Sequence, residues 1–178
     1  MILHSCSFTG HRPSRFPFQY NELHPDCAKL KLLINHQIEL LFHKGVTHFL
    51  IGCALGVDIW AGEAVLLLKS SHSSVTLQAV VPFQGQEQQW SQEQQQRYHS
   101  LLQQCDEVTV LQNSFTKDCY FRRNRYLVDH SDLLFAVFDG RANPRSGTAY
   151  TVHYAQSKKC PILFIHPTTH EITFMNQQ

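Results

Sequence analysis

The hydrophobic positions of this chain fall into two kinds of segment that alternate along it. Short, nearly continuous apolar runs, such as residues 46–51 and 132–138, predict buried strands of a parallel sheet. Longer segments, such as residues 30–42, repeat apolar residues every three or four positions and predict amphipathic helices. Because the two kinds alternate throughout, the pattern indicates an α/β fold with a mainly parallel sheet and helices on both of its faces.

Proline, glycine and short polar loops bound the predicted elements. Seven segments have the character of strands, the last of them short and at a sheet edge: residues 2–8, 46–51, 75–81, 107–111, 132–138, 161–165 and 171–174. Five have the character of helices: residues 25–44, 57–69, 87–104, 117–130 and 148–157. Neither an internal repeat nor a linker interrupts the 178 residues, so we expect one three-layer domain over residues 1–178.

Composition and charge narrow the classes of function. The chain is 43% hydrophobic and 16% charged, which is typical of a globular protein. Its formal net charge of +1 argues against nucleic acid and anionic membranes as partners. No apolar run reaches the length of about 18 residues that a membrane span needs. Six cysteines without a C-x-x-C pair, and no signal peptide, predict buried free thiols in a cytoplasmic protein. No metal-ligand pattern stands out.

Candidate ligand-binding residues cluster after the predicted strands. In open parallel sheets, ligands bind at the carboxyl ends of the strands. Four loops follow strands in this sequence: residues 9–12, 52–58, 82–86 and 139–148.

The turn at residues 52–58 carries the strongest local signal. A buried strand ends, the chain passes Gly52 and Gly56, and a helix begins. Glycines let a phosphate approach the backbone closely, and the free N–H groups of a helix start point at it. The spacing matches neither the dinucleotide nor the P-loop pattern, so a plain strand-to-helix connection fits equally well. Asp58 suits a first-turn acid, or a contact to a ligand sugar hydroxyl.

A second glycine turn precedes the last predicted helix. Ser146, Gly147 and Thr148 offer backbone N–H groups and a hydroxyl to a phosphate. Two such turns at one sheet edge favour a bipartite site of nucleotide size.

The remaining candidates lie in the other loops and in one helix. Arg12 has a planar fork suited to phosphate, and Phe83 suits base stacking, a core position or a lid. Arg123 and Asn124 belong to a basic cluster that fits either phosphate contacts or a solvated helix face. The full candidate set is Thr9, Gly10, His11, Arg12, Gly52, Gly56, Asp58, Phe83, Arg123, Asn124, Asp139, Ser146, Gly147 and Thr148.

Together these residues resemble the YpsA-like proteins, a bacterial family of the Rossmann-like SLOG superfamily. That superfamily also includes DNA-processing protein A and the LONELY GUY phosphoribohydrolases. The resemblance runs in order over residues 7–158 and is carried by residues 9–12, 52–61, 82–83 with Gln86 and Trp90, 123–129, 131–134, 139–140 and 146–148.

The resemblance implies a Rossmann-like fold and a pocket for a nucleotide or nucleotide derivative, such as ADP-ribose, NAD or a nucleoside phosphate. It also implies a sensing or regulatory role, without a settled activity. Two residues depart from the family pattern, since Cys53 and Ser146 stand where glycines are usual. The phosphoribohydrolases carry a glutamate shortly after their Gly-Thr, and here Ala149 follows Thr148. Their activity is therefore not transferred.

Three hypotheses for function follow. The first is a nucleotide-binding sensor or regulator, which leaves open a protein partner or a homo-oligomer. The second is hydrolysis of a nucleotide N-glycosidic bond, with Asp58, Asp139 or Glu63 as the carboxylate. The third is binding of single-stranded DNA, by analogy with DNA-processing protein A. Only residues 122–125 support the third hypothesis, and the near-neutral charge opposes it.

Overall fold

A seven-stranded sheet runs through the middle of the molecule. The computed structural model describes residues 3–141 and 146–176, and its strands are β1 (Ser5–Gly10), β2 (His48–Ile51), β3 (Thr76–Val81), β4 (Glu107–Val110), β5 (Leu133–Val137), β6 (Ile162–Ile165) and β7 (Ile172–Met175). Their spatial order is β4-β3-β2-β1-β5-β6-β7. Every pair is parallel except β6 with β7. The predicted α/β fold with a mainly parallel sheet is confirmed.

Five α-helices connect the strands in the described chain: α1 (Pro25–His43), α2 (Val57–Ser71), α3 (Gln92–Gln104), α4 (Cys119–Asp129) and α5 (Gly147–Ser157). Proline at the first position of α1 matches the prediction. Helix α3 begins five residues later than predicted. There the Ser91 hydroxyl accepts the Gln94 N–H while the Gln94 side chain accepts the Ser91 N–H, and this capping box fixes the start.

The helices lie on both faces of the sheet, and alternate residues of β5 separate the two faces. Leu133 and Phe135 pack into the core that contains buried residues of α1, α2 and α3. Leu134 and Ala136 pack with Val128 of α4 and with residues of α5. Because both faces of β5 are buried, its sequence is a continuous apolar run, and the strand is recognisable from sequence for this reason.

Strand β1 is displaced from its predicted position. It was expected at residues 2–8, of which residue 2 lies outside the described chain, and it runs from Ser5 to Gly10. At its start, the carboxylate of Asp132 accepts the N–H groups of His4 and Ser5. At its end, Gly10 still pairs with Val137 of β5. Pairing with the neighbouring strand therefore carries β1 two residues further than the hydrophobic pattern does.

The strand order reverses direction at β1. The chain runs from β1 through β2 and β3 to β4 on one side, and then crosses to β5 on the other side of β1. In open α/β sheets, ligands bind in the crevice at such a switch point, outside the carboxyl ends of the strands. In this molecule that crevice lies where β1 and β5 end.

The proline-rich segment at residues 13–24 covers the start of α2. It contains a single 3-10 turn, Pro13–Arg15, and it is otherwise irregular, as predicted. Trp60 of α2 is buried beside Phe16 and Phe18 of this segment. Its indole N–H donates to Glu22 at 2.8 Å, so Trp60 serves packing.

Candidate functional site

A cleft of about 380 Å³ opens at the switch point. The end of β1, the turn before α2, the start of α4 and the start of α5 all contribute to it. Its lining consists of Phe8, Thr9, Gly10, Arg12, Ala54, Asp58, Lys117, Tyr120, Phe121, Arg123, Asn124, Gly147 and Thr148. Eight of the fourteen residues predicted from sequence are among them. The six that are not are His11, Gly52, Gly56, Phe83, Asp139 and Ser146.

The glycine turn before α2 is held by its own carboxylate. Asp58, which is buried, accepts the N–H of Ala54 at 3.1 Å. Gly56 has φ +93° and faces Pro13 and the carbonyl of His11, so a side chain there would be strained and would collide with Pro13. Cys53 also has positive φ, at +58°. The sharp turn explains the glycine at position 56 without a ligand.

Arg123 fills the space that Gly52 leaves. Its side chain is buried, and it donates to the carbonyl of Gly52 and, at 2.8 Å, to Asn124 Oδ1. Its Nη1 lies 3.6 Å from Asp58 Oδ2. A Cβ on Gly52 would collide with this guanidinium. Position 52 thus requires glycine because another group approaches its backbone closely, and that group is the guanidinium of Arg123.

The start of α5 lines the cleft with Gly147 and Thr148. The Ser146 hydroxyl caps the helix by accepting the N–H of Ala149 at 3.3 Å, so Ser146 lies behind the lining residues. The N–H groups of Gly147 and Thr148 have no acceptor among the described residues. Asn124 donates to the Gly147 carbonyl at 3.3 Å and so ties α4 to this helix start. Such an end is favourable for an anion.

The charged side chains of the cleft comprise a buried pair and two exposed cations. Burial raises the pKa of Asp58, against the opposing effects of Arg123, the Ala54 N–H and Arg12, and burial lowers the pKa of Arg123. These two groups compensate each other inside the protein. Arg12 and Lys117 are exposed and make no ion pair with a described residue. They are therefore the cations available to a ligand.

His11 and Asp139 form a separate pair next to the cleft. His11 Nε2 lies 3.2 Å from Asp139 Oδ1, and the imidazole is buried beside Phe16 and Phe138. Burial lowers the pKa of His11, although Asp139 opposes this shift. Asp139 lines a neighbouring cavity of about 400 Å³ between α5, β6 and β7. The pair links the loop after β1 to the loop after β5, of which residues 142–145 lie outside the described chain.

Sequence reasoning missed several lining residues. Lys117, Tyr120 and Phe121 lie at or just before the start of α4, which follows the carboxyl end of β4. The rule that ligands bind after strand ends could have found them, but that loop was left out of the candidate loops. Phe83, which was included, packs with Phe115 and Tyr120 at ring distances of 5.6 and 6.0 Å. It supports the cleft from behind Tyr120.

The three carboxylates considered for hydrolysis lie in three different places. Asp58 lines the cleft, and Asp139 pairs with His11. Glu63 binds Arg97 through two hydrogen bonds of 2.6 and 2.8 Å on the far side of α2. They do not form one acid–base pair.

Comparison with known proteins identifies the family. The YpsA model, described as the YspA SLOG family, matches residues 6–170. The chain belongs to the YspA SLOG family. The resemblance stated from residues 7–158 is thereby confirmed. The function of this family is unknown.

Relatives within the YspA SLOG family are bacterial. A UPF0398 protein of Halalkalibacterium halodurans is 35% identical over 124 residues, which cover 68% of this chain and 65% of the relative. A UPF0398 protein of Staphylococcus aureus strain JH9 is 27% identical over 117 residues, which cover 65% of this chain and 63% of the relative. The chain thus spans slightly less than two thirds of the length of these relatives.

A solved structure shares the fold of this YspA SLOG protein. DNA processing protein A from Helicobacter pylori, a structure that concerns a single-stranded DNA binding mode, superimposes with a TM-score of 0.58 at 17% sequence identity. The alignment covers 92% of this chain and 65% of that chain. At this identity the likeness concerns the fold, and it confirms the Rossmann-like architecture.

The likeness corrects one prediction. Nucleic acid was argued against as a partner because the net charge is near zero, and this inference is wrong, since the structurally similar protein binds single-stranded DNA. A net charge of +1 sums the whole chain and conceals local concentration. Here Arg12, Lys117 and Arg123 line one cleft, and Arg122 and Arg125 lie on α4, which contributes to that cleft.

Within residues 3–141 and 146–176, every helix is too short or too polar to cross a bilayer.

Proposed function

We propose that the cleft binds the phosphate-bearing part of a nucleotide or nucleotide derivative, and that this YspA SLOG protein acts as a sensor or regulator. The observation that carries the proposal is the convergence of two exposed cations, Arg12 and Lys117, with the N-terminus of α5. Cations and backbone N–H groups aimed at one space are the usual partners of phosphate.

The size and lining of the cleft suit the rest of such a ligand. A volume of about 380 Å³ falls in the range of roughly 300–1,000 Å³ that small-molecule pockets occupy. Tyr120 and Phe121 offer apolar contact to a base or ribose, and Thr9 and Thr148 offer hydroxyl groups. Candidate ligands are ADP, ADP-ribose, NAD and cyclic nucleotides.

Binding without turnover is the role that the charged groups support. Asp58 is the one carboxylate among the described lining residues, and it is engaged by Arg123 and by the Ala54 N–H. An N-glycosidic hydrolase would need a carboxylate free to act on water or on the leaving base. Sensing or regulation requires only that the ligand binds.

The proposal is tested by calorimetric titration of the wild-type protein with ADP, ADP-ribose, NAD and cyclic AMP. For any nucleotide that binds, Arg12→Gln should weaken affinity about 10-fold or more, because a charge-assisted hydrogen bond contributes about 1.5–3 kcal/mol. Arg15→Gln is the matched control, since Arg15 is an exposed arginine three residues away that does not line the cleft.

Two results would overturn the proposal. One is the absence of binding by every nucleotide of the panel at millimolar concentration. The other is an equal loss of affinity in Arg12→Gln and Arg15→Gln, which would mean that diffuse charge and not the cleft binds the ligand.

Single-stranded DNA is the second candidate ligand. The backbone likeness to DNA processing protein A favours it, and the same cations that suit a terminal phosphate suit a phosphodiester. Competition separates the two candidates. An oligonucleotide that displaces a bound mononucleotide shares the cleft, and one that binds without displacing it does not.

A further inference from the structure

Aromatic and cationic side chains continue from the cleft along the outer faces of α4 and α5. Arg125 of α4 lies between two tyrosines of α5, with its guanidinium carbon 5.7 Å from the ring centroid of Tyr150 and 5.8 Å from that of Tyr154. The two tyrosine rings are nearly parallel, at an interplanar angle of 5° and a centroid distance of 6.4 Å. The ammonium of Lys158 lies 5.3 Å from the Tyr154 centroid. We call Phe121, Arg125, Tyr150, Tyr154 and Lys158 the α4–α5 ridge.

The ridge joins the cleft without a gap. Phe121 lines the cleft, and its ring centroid lies 4.5 Å from that of Tyr150. On the other side of the cleft, the guanidinium of Arg12 lies 5.7 Å from the centroid of Tyr120. A series of rings and cations therefore extends from Arg12, across the mouth of the cleft, to Lys158.

The composition of the ridge is unusual for a solvated helix surface. Phe121 is 36% exposed, and Arg125 is exposed although it contacts two rings. Acidic groups stand at its margins: Asp129 accepts the Tyr154 hydroxyl at 2.9 Å and pairs with Lys158 at 3.5 Å. Asp118 pairs with Arg122 at 3.5 Å. Between these margins lie the exposed guanidinium of Arg125, the exposed ring of Phe121 and the half-buried rings of Tyr150 and Tyr154.

We propose that the α4–α5 ridge is a base-stacking surface for single-stranded nucleic acid whose phosphate enters the cleft. The inference rests on the proposed phosphate site and extends it from a mononucleotide to a strand. Aromatic rings and arginine guanidinium planes both stack on unpaired bases, and every base has such a face. A duplex is excluded as the preferred ligand because its bases are stacked on each other.

The experiment measures fluorescence anisotropy of a labelled oligothymidylate of about 16 nucleotides, a length at the upper end of single-module site sizes. Tyr154→Leu removes the ring but keeps an apolar side chain against the core beneath α5. It should weaken binding about 5- to 150-fold, the range for loss of one stacked base. Tyr154→Phe keeps the ring and loses only the hydroxyl, which donates to Asp129 and accepts from Lys158, so it should bind like the wild type.

Two probes separate stacking from charge. An abasic oligonucleotide of the same length carries the same phosphates, and it should bind at least 5-fold more weakly than oligothymidylate and be insensitive to Tyr154→Leu. Arg125→Lys keeps the charge but loses the planar group, and it should weaken oligothymidylate binding more than abasic binding. Phe174→Ala removes a comparably exposed phenylalanine on β7, outside the ridge, and should change neither.

The outcomes distinguish this inference from the proposed function. Mononucleotide binding that depends on Arg12, together with no oligonucleotide binding, would overturn the ridge and leave the cleft standing. Oligonucleotide binding that Tyr154→Leu leaves unchanged, or that duplex DNA matches in affinity, would also overturn the ridge. Absence of both mononucleotide and oligonucleotide binding would overturn both.

Discussion

Arg123 organises the cleft although a ligand can reach little of it. The side chain is buried, it donates to the Gly52 carbonyl and to Asn124, and it neutralises Asp58. Through these contacts it joins the turn before α2 to α4, and Asn124 continues the link to the start of α5. Positioning of the cleft walls is therefore its main contribution.

Replacement of Arg123 should be strongly destabilising. In Arg123→Met the carboxylate of Asp58 stays buried without its partner, so the free energy of unfolding should fall by about 3–5 kcal/mol. Urea denaturation of the variant and the wild type measures the loss.

The neighbouring residue supplies the control for this change. Arg122 is exposed, so Arg122→Met should change stability by less than about 0.5–1 kcal/mol. The double variant Arg123→Met with Asp58→Asn should lose less than the sum of its single variants. Equal effects of the two methionine variants would contradict a buried ion pair.

Sequence reasoning located the glycines of the cleft but not the reason for them. Gly52 and Gly56 were assigned to phosphate approach, a ligand role that stays a prediction. In the folded chain Gly52 accommodates Arg123, and Gly56 accommodates Pro13 in a positive-φ turn. A partner more than 70 residues away leaves no mark in the local pattern. Arg122 and Arg125 are exposed and Arg123 is buried. This difference depends on the orientation of the helix, which three arginines within four positions do not reveal.

At the scale of elements, an ionic clamp fixes the irregular segment 13–24. Glu22 accepts hydrogen bonds from Arg97 of α3, Lys31 of α1 and Trp60 of α2, at 2.7, 2.9 and 2.8 Å. Arg97 binds Glu63 of α2 as well. Three helices thus hold one acidic residue, and the segment that covers the glycine turn gains a fixed position without regular structure.

The clamp predicts a specific acid sensitivity. Burial alone would raise the pKa of Glu22, but the hydrogen bonds from Arg97, Trp60 and Lys31 lower it from 4.5 to about 2. The unfolded chain therefore binds this proton more readily. The stabilisation is complete above about pH 4.5, and it is lost as the pH falls toward 2.

Glu22→Gln should accordingly flatten the acid limb of the stability curve. Between about pH 5 and pH 3, its unfolding free energy should fall less steeply than that of the wild type, by at most about 2 kcal/mol in total. Denaturant midpoints across this pH range measure the slope. Glu93→Gln, at an exposed glutamate of α3, should keep the wild-type slope, and the same flattening in both variants would contradict the clamp.

Most elements could be predicted because their signals are local. The apolar run of β5 and the proline at the start of α1 each identify an element without knowledge of its neighbours. Boundaries were less accurate where another element decides them, as the pairing of Gly10 with Val137 decides the end of β1. The ridge escaped prediction for the same reason, since Arg125 and Tyr150 meet only when α4 and α5 pack.

At the scale of the whole molecule, the cleft draws on β1, α2, α4 and α5 at once. A ligand bound there stabilises the assembled fold and not a single element. Because ligand binding should stabilise all of these elements together, it also tests the expectation that the chain forms a single domain.

Unfolding should be one cooperative transition that ligand shifts as a whole. Trp60 and Trp90 report on the core beside α2 and α3, and far-ultraviolet circular dichroism reports on all elements. The two signals should coincide in urea, and a nucleotide at about 100 times its Kd should raise the unfolding free energy by about 2.7 kcal/mol in both. Two separate transitions, or a shift in only one signal, would contradict a single domain.

The central place of β1 in the sheet has a consequence for the order of folding events. The crevice between β1 and β5 exists only after Gly10 has paired with Val137. Contacts between residues so far apart in the chain form slowly, because closing a long loop costs entropy. A nucleotide therefore has nothing to bind in the early, locally structured chain. Bound nucleotide should therefore lower the unfolding rate and leave the folding rate unchanged. An occupied cleft thus prolongs the lifetime of the folded protein without hastening its formation.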